Sequence, residues 1–286
     1  MKNIENKTCH TIFIPTENCN IRCEYCSRGC NKFKNSYYYA SGNDFRNLLK
    51  FLKLQNYEQY TFEFFGGEPT VHPQFRAFNK MLEYFNKPLL EIHTLTNLIR
   101  PFEYWTYDWP EQTKFSCSYH SHAIKDSDEW FAKVYYLKKR GMIRDIKFII
   151  TPENEKEIIK IYEKYKSDEY EVYELVVQEQ LAGTEWAEGI FKKYDADYLE
   201  DYRPKEDFYK MVCSCKFRVA ENGDVYYCWR KFDDEIARPI LNVFEDTLKK
   251  VPEWHLCLYH NCDICDVDNP KYSIKDWYEI QRRNEK

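Results

Sequence analysis

Cys19-Asn20-Ile21-Arg22-Cys23-Glu24-Tyr25-Cys26 puts three thiols on one short stretch, separated by three residues and then by two. A 4Fe-4S cube takes four cysteine thiolates when fully ligated. A loop that offers three leaves one iron open to an outside ligand, and that opening turns an electron store into a place where chemistry can begin. Closely spaced cysteines also bind zinc, sit in redox loops or join in disulfides. Cys30 follows closely enough to supply a fourth thiol to a zinc site. The remainder of the chain has to decide between these readings.

Composition narrows the field. With 286 residues and 35.0 kDa, the chain can bury a large core, as one big domain or one domain with a small appendix. A net charge of -5 gives no general attraction to nucleic acid or anionic lipid. No apolar run approaches the ~20 residues of a spanning helix, so no membrane partner is expected. The N-terminus, Met1 to Lys7, is polar and lacks the apolar centre of a signal peptide. A cytoplasmic location follows, and a reducing compartment keeps thiols free of disulfides. The 12 cysteines, clustered towards both ends, then point to metal.

Hydrophobic patterning gives alternating strands and helices. Thr11 to Pro15 reads as a buried strand that delivers the cysteine loop at its C-terminal end. Phe45, Leu48, Leu49 and Leu52 have helical spacing, with Asp44 as N-cap. Further strands are expected at Tyr60–Phe65, Leu89–Asn97, Lys114–His120, Asp145–Ile150 and Val172–Val177. Helices fall between them: one around Phe75 to Phe85, a short aromatic one from Pro101 to Trp109, one near 127–140 ending at Gly141, and one opened by Pro152. Six βα units imply a parallel sheet, too few for an eight-unit barrel, so a partial, open (β/α)6 barrel of the α/β class is predicted. Sites in such sheets form at the C-terminal strand edges, where the cysteine loop, Gly66-Gly67-Glu68-Pro69, Thr96-Asn97 and Ser118 to His120 all fall.

The cysteine spacing, joined to Gly66-Gly67-Glu68 at the end of the second strand, resembles the signature of the radical S-adenosylmethionine (radical SAM) enzymes over roughly residues 10–180. The resemblance implies that Cys19, Cys23 and Cys26 hold a 4Fe-4S cluster whose open iron chelates S-adenosylmethionine. It implies too that the Gly66-Gly67-Glu68 turn holds the methionine amino group, with the Glu68 carboxylate able to accept from an ammonium. Thr96-Asn97 resembles the pair ending the third strand of many members, and Ser118 the serine that approaches the ribose. His120 stands where many relatives carry Asp; it is either a substrate-facing acid or base or a hydrogen-bonded rim histidine. The chemistry implied is reductive cleavage of the sulfonium to a 5'-deoxyadenosyl radical, which takes a hydrogen atom from the substrate.

The C-terminal quarter supplies a second cysteine group. Asn222-Gly223 between Lys216–Val219 and Asp224–Tyr227 is a hairpin signal. It would bring Cys215 near Cys228, with Cys262-Asp263-Ile264-Cys265 closing the site; two such pairs suit zinc as well as iron and sulfide. The hairpin, Leu241-Asn242-Val243 and the terminal pair resemble the SPASM and twitch extensions of radical SAM enzymes, which bind auxiliary 4Fe-4S clusters. Residues 213–265 hold six cysteines, fewer than two clusters take, so the single-cluster twitch form matches. The resemblance assigns Cys215, Cys228, Cys262 and Cys265 as ligands, with Cys213 and Cys257 in reserve.

The domain boundaries implied are 1–180 for the barrel, 181–211 for a bridging helical segment and 212–286 for the twitch-like subdomain. The bridge has six acids against two bases between Asp195 and Asp207, which suits the solvated face of a helix or a border for a basic peptide. Cys9, Cys30 and Cys117 remain as structural thiols, or Cys117 as a hydrogen-atom donor on the fourth strand. The function expected is oxidative modification of a peptide, with a flavodoxin- or ferredoxin-type electron donor. Radical dehydrogenation of a sugar or aminocyclitol, activation of a partner protein, and a non-catalytic zinc-binding module are the alternatives.

Overall fold

The computed structural model describes residues 8–26, 39–55, 57–165, 173–177, 184–194, 211–214, 216–226, 239–245, 247–251, 254–256 and 272–273. Six strands, β1 (Thr8–Phe13), β2 (Gln59–Phe64), β3 (Leu89–Thr96), β4 (Thr113–Tyr119), β5 (Ile143–Ile150) and β6 (Tyr173–Val177), pair in parallel and in sequence order. Between them run α1 (Gly42–Gln55), α2 (Phe75–Glu83), α3 (Phe102–Trp105), α4 (Ser127–Lys139) and α5 (Glu155–Tyr165). This is the α/β arrangement expected, each strand end lying within three residues of its predicted position, the largest offset being the start of β1 at Thr8 instead of Thr11.

Period-two alternation decides which face the helices cover. Phe13, Phe62, Phe64, Phe115, Tyr119 and Phe148 are all buried. Their rings meet Phe45 of α1 (5.5 Å from Phe13), Trp105 of α3 (5.5 Å from Phe115), Trp130 of α4 (5.2 Å from Tyr119) and Tyr162 of α5 (5.4 Å from Phe148). These helices therefore lie on one face. Right-handed crossovers that keep every helix on one side curl a sheet towards a barrel instead of opening it into a doubly wound layer. Burial of each large ring contributes roughly 1.5–3 kcal/mol, so this aromatic layer dominates the core.

Caps set the helix ends. The start of α1 is a reciprocal pair: Asp44 N–H donates to Ser41 Oγ (3.2 Å) and Ser41 N–H to Asp44 Oδ2 (2.7 Å). Ser41 is thus the N-cap, and Asp44 answers it from within the first turn, a correction to the sequence reading. At the end of α4, Gly141 (φ +67°) donates to the Lys138 carbonyl and Met142 to that of Leu137. That is the left-handed glycine stop the sequence indicated. Pro152 lies in a turn, and α5 begins only at Glu155, after Asn154 Oδ1 has accepted from Thr151 N–H at 2.7 Å.

The expected hairpin forms from β8 (Lys216–Val219) and β9 (Asp224–Tyr226), antiparallel, with Gly223 at φ +91° in the turn. It is continuous with the main sheet, because β8 pairs in parallel with β1 from His10↔Lys216 to Phe13↔Val219. Strand β10 (Leu241–Asn242) adds to β9, giving the order β10-β9-β8-β1-β2-β3-β4-β5-β6. A second sheet joins β7 (Met211–Ser214) to β11 (Trp254–Leu256) and β12 (Tyr272–Ser273), with Cys213 opposite His255. Helix α6 (Glu185–Tyr194) occupies the first part of the bridge. Cys30, Cys215, Cys228, Cys257, Cys262 and Cys265 lie outside the described residues, as does the acidic stretch after Tyr194.

Candidate cofactor-binding site

The cysteine loop leaves β1 at its C-terminal end and is tied down by its neighbours. Gly67 N–H donates to the Thr16 carbonyl (3.2 Å) and Glu68 N–H to that of Asn18 (2.8 Å). From the hairpin turn, Glu221 Oε2 accepts from Glu17 N–H at 2.8 Å. Asn97 Nδ2 donates to Asn20 Oδ1 at 2.7 Å. Elements distant in sequence therefore converge on one loop, as expected of strand ends in a parallel sheet.

The two glycines serve different needs. Gly66 sits at φ +125°, where an added Cβ would also come within 2.7 Å of the Thr16 carbonyl oxygen. At Gly67 an added Cβ would collide with the carbonyl oxygens of Glu17 and Asn18. The turn and the cysteine loop are thus packed backbone to backbone, which only glycine permits.

Glu68 is turned inwards. Its side chain accepts from Thr70 N–H (3.2 Å), Thr70 Oγ1 (2.5 Å), Thr96 Oγ1 (2.8 Å) and Asn97 N–H (2.7 Å). Burial raises its pKa above the usual carboxylate value, against the four donors that lower it. Glu68 is 2% exposed, Thr96 3% and Asn97 4%, so these side chains engage one another and form the scaffold behind the loop. Ser118 alternates with the buried Cys117 and Tyr119 and so belongs to the helix-free face of β4.

Cys19, Cys23 and Cys26 share one electrostatic neighbourhood. Burial above all, with charge on Glu68 and Cys26 for Cys19 and on Cys19 and Cys26 for Cys23, pushes the Cys19 thiol up to about 11 and Cys23 to about 12. Each therefore holds its proton until a metal displaces it. A turn closes the loop, Cys26 N–H donating to the Cys23 carbonyl at 3.3 Å. Among the described residues no three Cys, His, Asp or Glu side chains converge as tightly as a metal site. The fit to an iron-sulfur cluster rests on the donor set: three soft thiols on one anchored loop.

His120 turns its ring towards that loop. Nδ1 lies 3.7 Å from Cys23 Sγ and 3.0 Å from the Tyr25 hydroxyl, which is also 3.2 Å from His122 Nδ1 and hydrogen-bonded to Cys23. Burial, then the charge of His122, lowers the His120 pKa to about 4, so its ring is neutral near pH 7. Sequence reasoning singled out neither Tyr25 nor His122, although both are aromatic or imidazole groups flanking residues it did choose.

Cys117 is fully buried with Phe115 and Tyr119 in the layer beneath the helices. That placement contradicts a hydrogen-atom donor reaching a substrate from β4, and Cys117 reads as a structural thiol, like the buried Cys9. The opposite face of the sheet carries a network the sequence reading also passed over. His93 Nε2 meets Ser116 Oγ (2.7 Å), Ser116 donates to Asp145 Oδ2 (2.6 Å), and His93 Nδ1 lies 3.2 Å from Glu63 Oε2. Its signal was polar residues at every second position of β2 to β5.

Residues 13–112 match the Radical SAM superfamily. Over that stretch the chain is similar to the radical SAM enzymes. The matched span takes in the cysteine loop, Gly66-Gly67-Glu68 and Thr96-Asn97, while Ser118 and His120 lie beyond it. No curated protein matches the chain. Among solved structures, the fold is similar to that of native anSMEcpe with bound AdoMet and Cp18Cys peptide: 15% identity, TM-score 0.56, covering 84% of this chain and 79% of that one. It also resembles Streptococcus suis SuiB bound to precursor peptide SuiA, with 12% identity, TM-score 0.51, and 84% and 63% covered. At such identities the likeness is one of fold. Among the described residues no helix is long and apolar enough to cross a membrane.

Proposed function

We propose that Cys19, Cys23 and Cys26 hold a 4Fe-4S cluster that binds S-adenosylmethionine, and that the chain uses the pair for oxidative modification of a peptide. The observation that carries this is the backbone lock between the cysteine loop and the Gly66-Gly67-Glu68 turn. Once bound, the cluster and S-adenosylmethionine supply a 5'-deoxyadenosyl radical, which takes a hydrogen atom from a substrate C–H bond.

The chain's own residues orient and enclose. Gly66 and Gly67 let main chain approach the cofactor closely; Glu68, Thr96 and Asn97 hold that turn and the cysteine loop in register from behind. Ser118 offers a hydroxyl for the ribose from the helix-free face. Two of the structurally similar proteins were solved with peptides, anSMEcpe with Cp18Cys and SuiB with SuiA, which supports a peptide substrate here. The β8–β9 hairpin supports a twitch-type extension, with Cys215, Cys228, Cys262 and Cys265 as ligands of an auxiliary 4Fe-4S cluster. Such a cluster would pass on an electron from the substrate radical, with a flavodoxin or ferredoxin recharging the first cluster in the cytoplasm.

The test is anaerobic reconstitution with iron and sulfide, followed by S-adenosylmethionine and a chemical reductant. The expected result is 5'-deoxyadenosine from the wild type and none from Cys19→Ser, Cys23→Ser or Cys26→Ser. Added peptide substrate should lose a pair of hydrogen atoms per turnover by mass. A colourless protein that retains zinc would overturn the assignment.

A further inference from the structure

Two polar side chains stand against the Cys23 sulfur. His120 Nδ1 stands 3.7 Å from Cys23 Sγ, the Tyr25 hydroxyl bonds both to His120 Nδ1 (3.0 Å) and to Cys23, and His122 Nδ1 takes the far side of that hydroxyl at 3.2 Å. His120 comes from the end of β4 and Tyr25 from within the cysteine loop, so the contact exists only once the sheet has formed. Resting on the cluster assignment above, we propose that His120 and Tyr25 cap the Cys23 sulfur with hydrogen-bond donors and so raise the reduction potential of the cluster it ligates.

The direction follows from where the protons sit. In the thiol form either Cys23 or the imidazole can donate across the 3.7 Å contact. When iron replaces the thiol proton, the sulfur can only accept. A neutral imidazole carries one N–H, and the tautomer with that proton on Nδ1 then wins, because the other would aim a lone pair at a negative sulfur. With that proton on Nδ1, the Tyr25 oxygen can accept from His120 at 3.0 Å while the Tyr25 proton turns to the sulfur, so His120 acts on Cys23 both across the 3.7 Å contact and through the hydroxyl. Donors to a cluster thiolate draw negative charge away from it and stabilise the reduced state, which carries one electron more, over the oxidised one. His120 and Tyr25 thus act through Cys23, as positioning residues. His120 would serve this purpose instead of acting on substrate from its Nδ1 side.

The experiment is an EPR-monitored redox titration of the reconstituted full chain. The signal that shifts on addition of S-adenosylmethionine identifies the open cluster, apart from any auxiliary one. His120→Leu removes the donor, and its midpoint is expected to fall below that of the wild type at equal iron content. His120→Asn should recover most of the loss, since Asn Nδ2 is bonded to Cγ just as His Nδ1 is. Tyr25→Phe keeps the ring, loses only the hydroxyl, and should also lower the midpoint; it serves as the test if His120→Leu loads iron poorly. Unchanged midpoints in both His120→Leu and Tyr25→Phe would overturn the proposal while leaving the cluster assignment intact. So would a strong iron-bound nitrogen coupling in the wild type, without S-adenosylmethionine, that disappears in His120→Leu. That result would make His120 a ligand. A wild type that forms no such cluster would remove both readings together.

Discussion

Gly67 shows why a glycine pair in a sequence is ambiguous until its contacts are known. The sequence suggested conformational freedom, and Gly66 does use it, at φ +125°. Gly67 is constrained instead by the carbonyls of Glu17 and Asn18. Gly67→Ala should therefore force the turn away from the cysteine loop, costing about 1–3 kcal/mol of stability and most of the retained iron. Urea denaturation and iron analysis of the reconstituted variant check both. Glu68 makes a related point. A carboxylate next to a candidate cofactor site suggests direct contact, yet its acceptors are occupied by Thr70, Thr96 and Asn97, none of which adjoins it in sequence.

At the scale of elements, the segment leading into α2 carries a buried titratable group that links fold to pH. His72 follows the 3-10 turn Pro69–Val71, its Nδ1 accepting from Gln74 N–H at 3.0 Å and its ring 4.8 Å from Phe78. Burial lowers its pKa from 6.5 to about 4. The unfolded chain then takes up this proton at a higher pH than the folded one does. The stability His72 contributes is complete above about 6.5 and is lost as pH falls from there to about 4. His72→Phe should flatten this part of the acid limb of a stability–pH profile, at a cost near pH 7 of about 0.5–1.5 kcal/mol for the lost hydrogen bond. Urea midpoints measured across that pH window test it. The C-terminal stop of α4 behaves more predictably: Gly141 ended the helix as its residue type dictates, because the left-handed stop depends on one position alone.

Across the whole molecule, the hairpin is the least local feature that bears on the site. Glu221 in its turn accepts from Glu17 N–H, 204 residues earlier, at the start of the cysteine loop. The β1–β8 pairing places it there. The C-terminal part of the chain thereby anchors the N-terminal cysteine loop. Glu221→Ala should leave the fold intact and accelerate iron loss to a chelator several-fold, whereas Glu221→Gln, which keeps an acceptor, should behave nearly as the wild type. Timed chelation by absorbance distinguishes the two.

The sequence by itself determined the strand–helix alternation, the one-loop thiol trio, the glycine turn and the hairpin. Each is encoded by neighbours within a few positions, where period, turn chemistry and spacing operate. It also placed the candidate residues at strand ends, since parallel order carries every C-terminal edge to the same side. Only the tertiary structure decided which way those side chains turn: Glu68 inwards to Thr96 and Asn97, Cys117 into the aromatic layer, His120 towards Cys23, and β8 onto β1. Those outcomes depend on registers between strands tens to hundreds of residues apart, and on which face of each strand the helices cover. A shift of one residue would reverse every one of those faces.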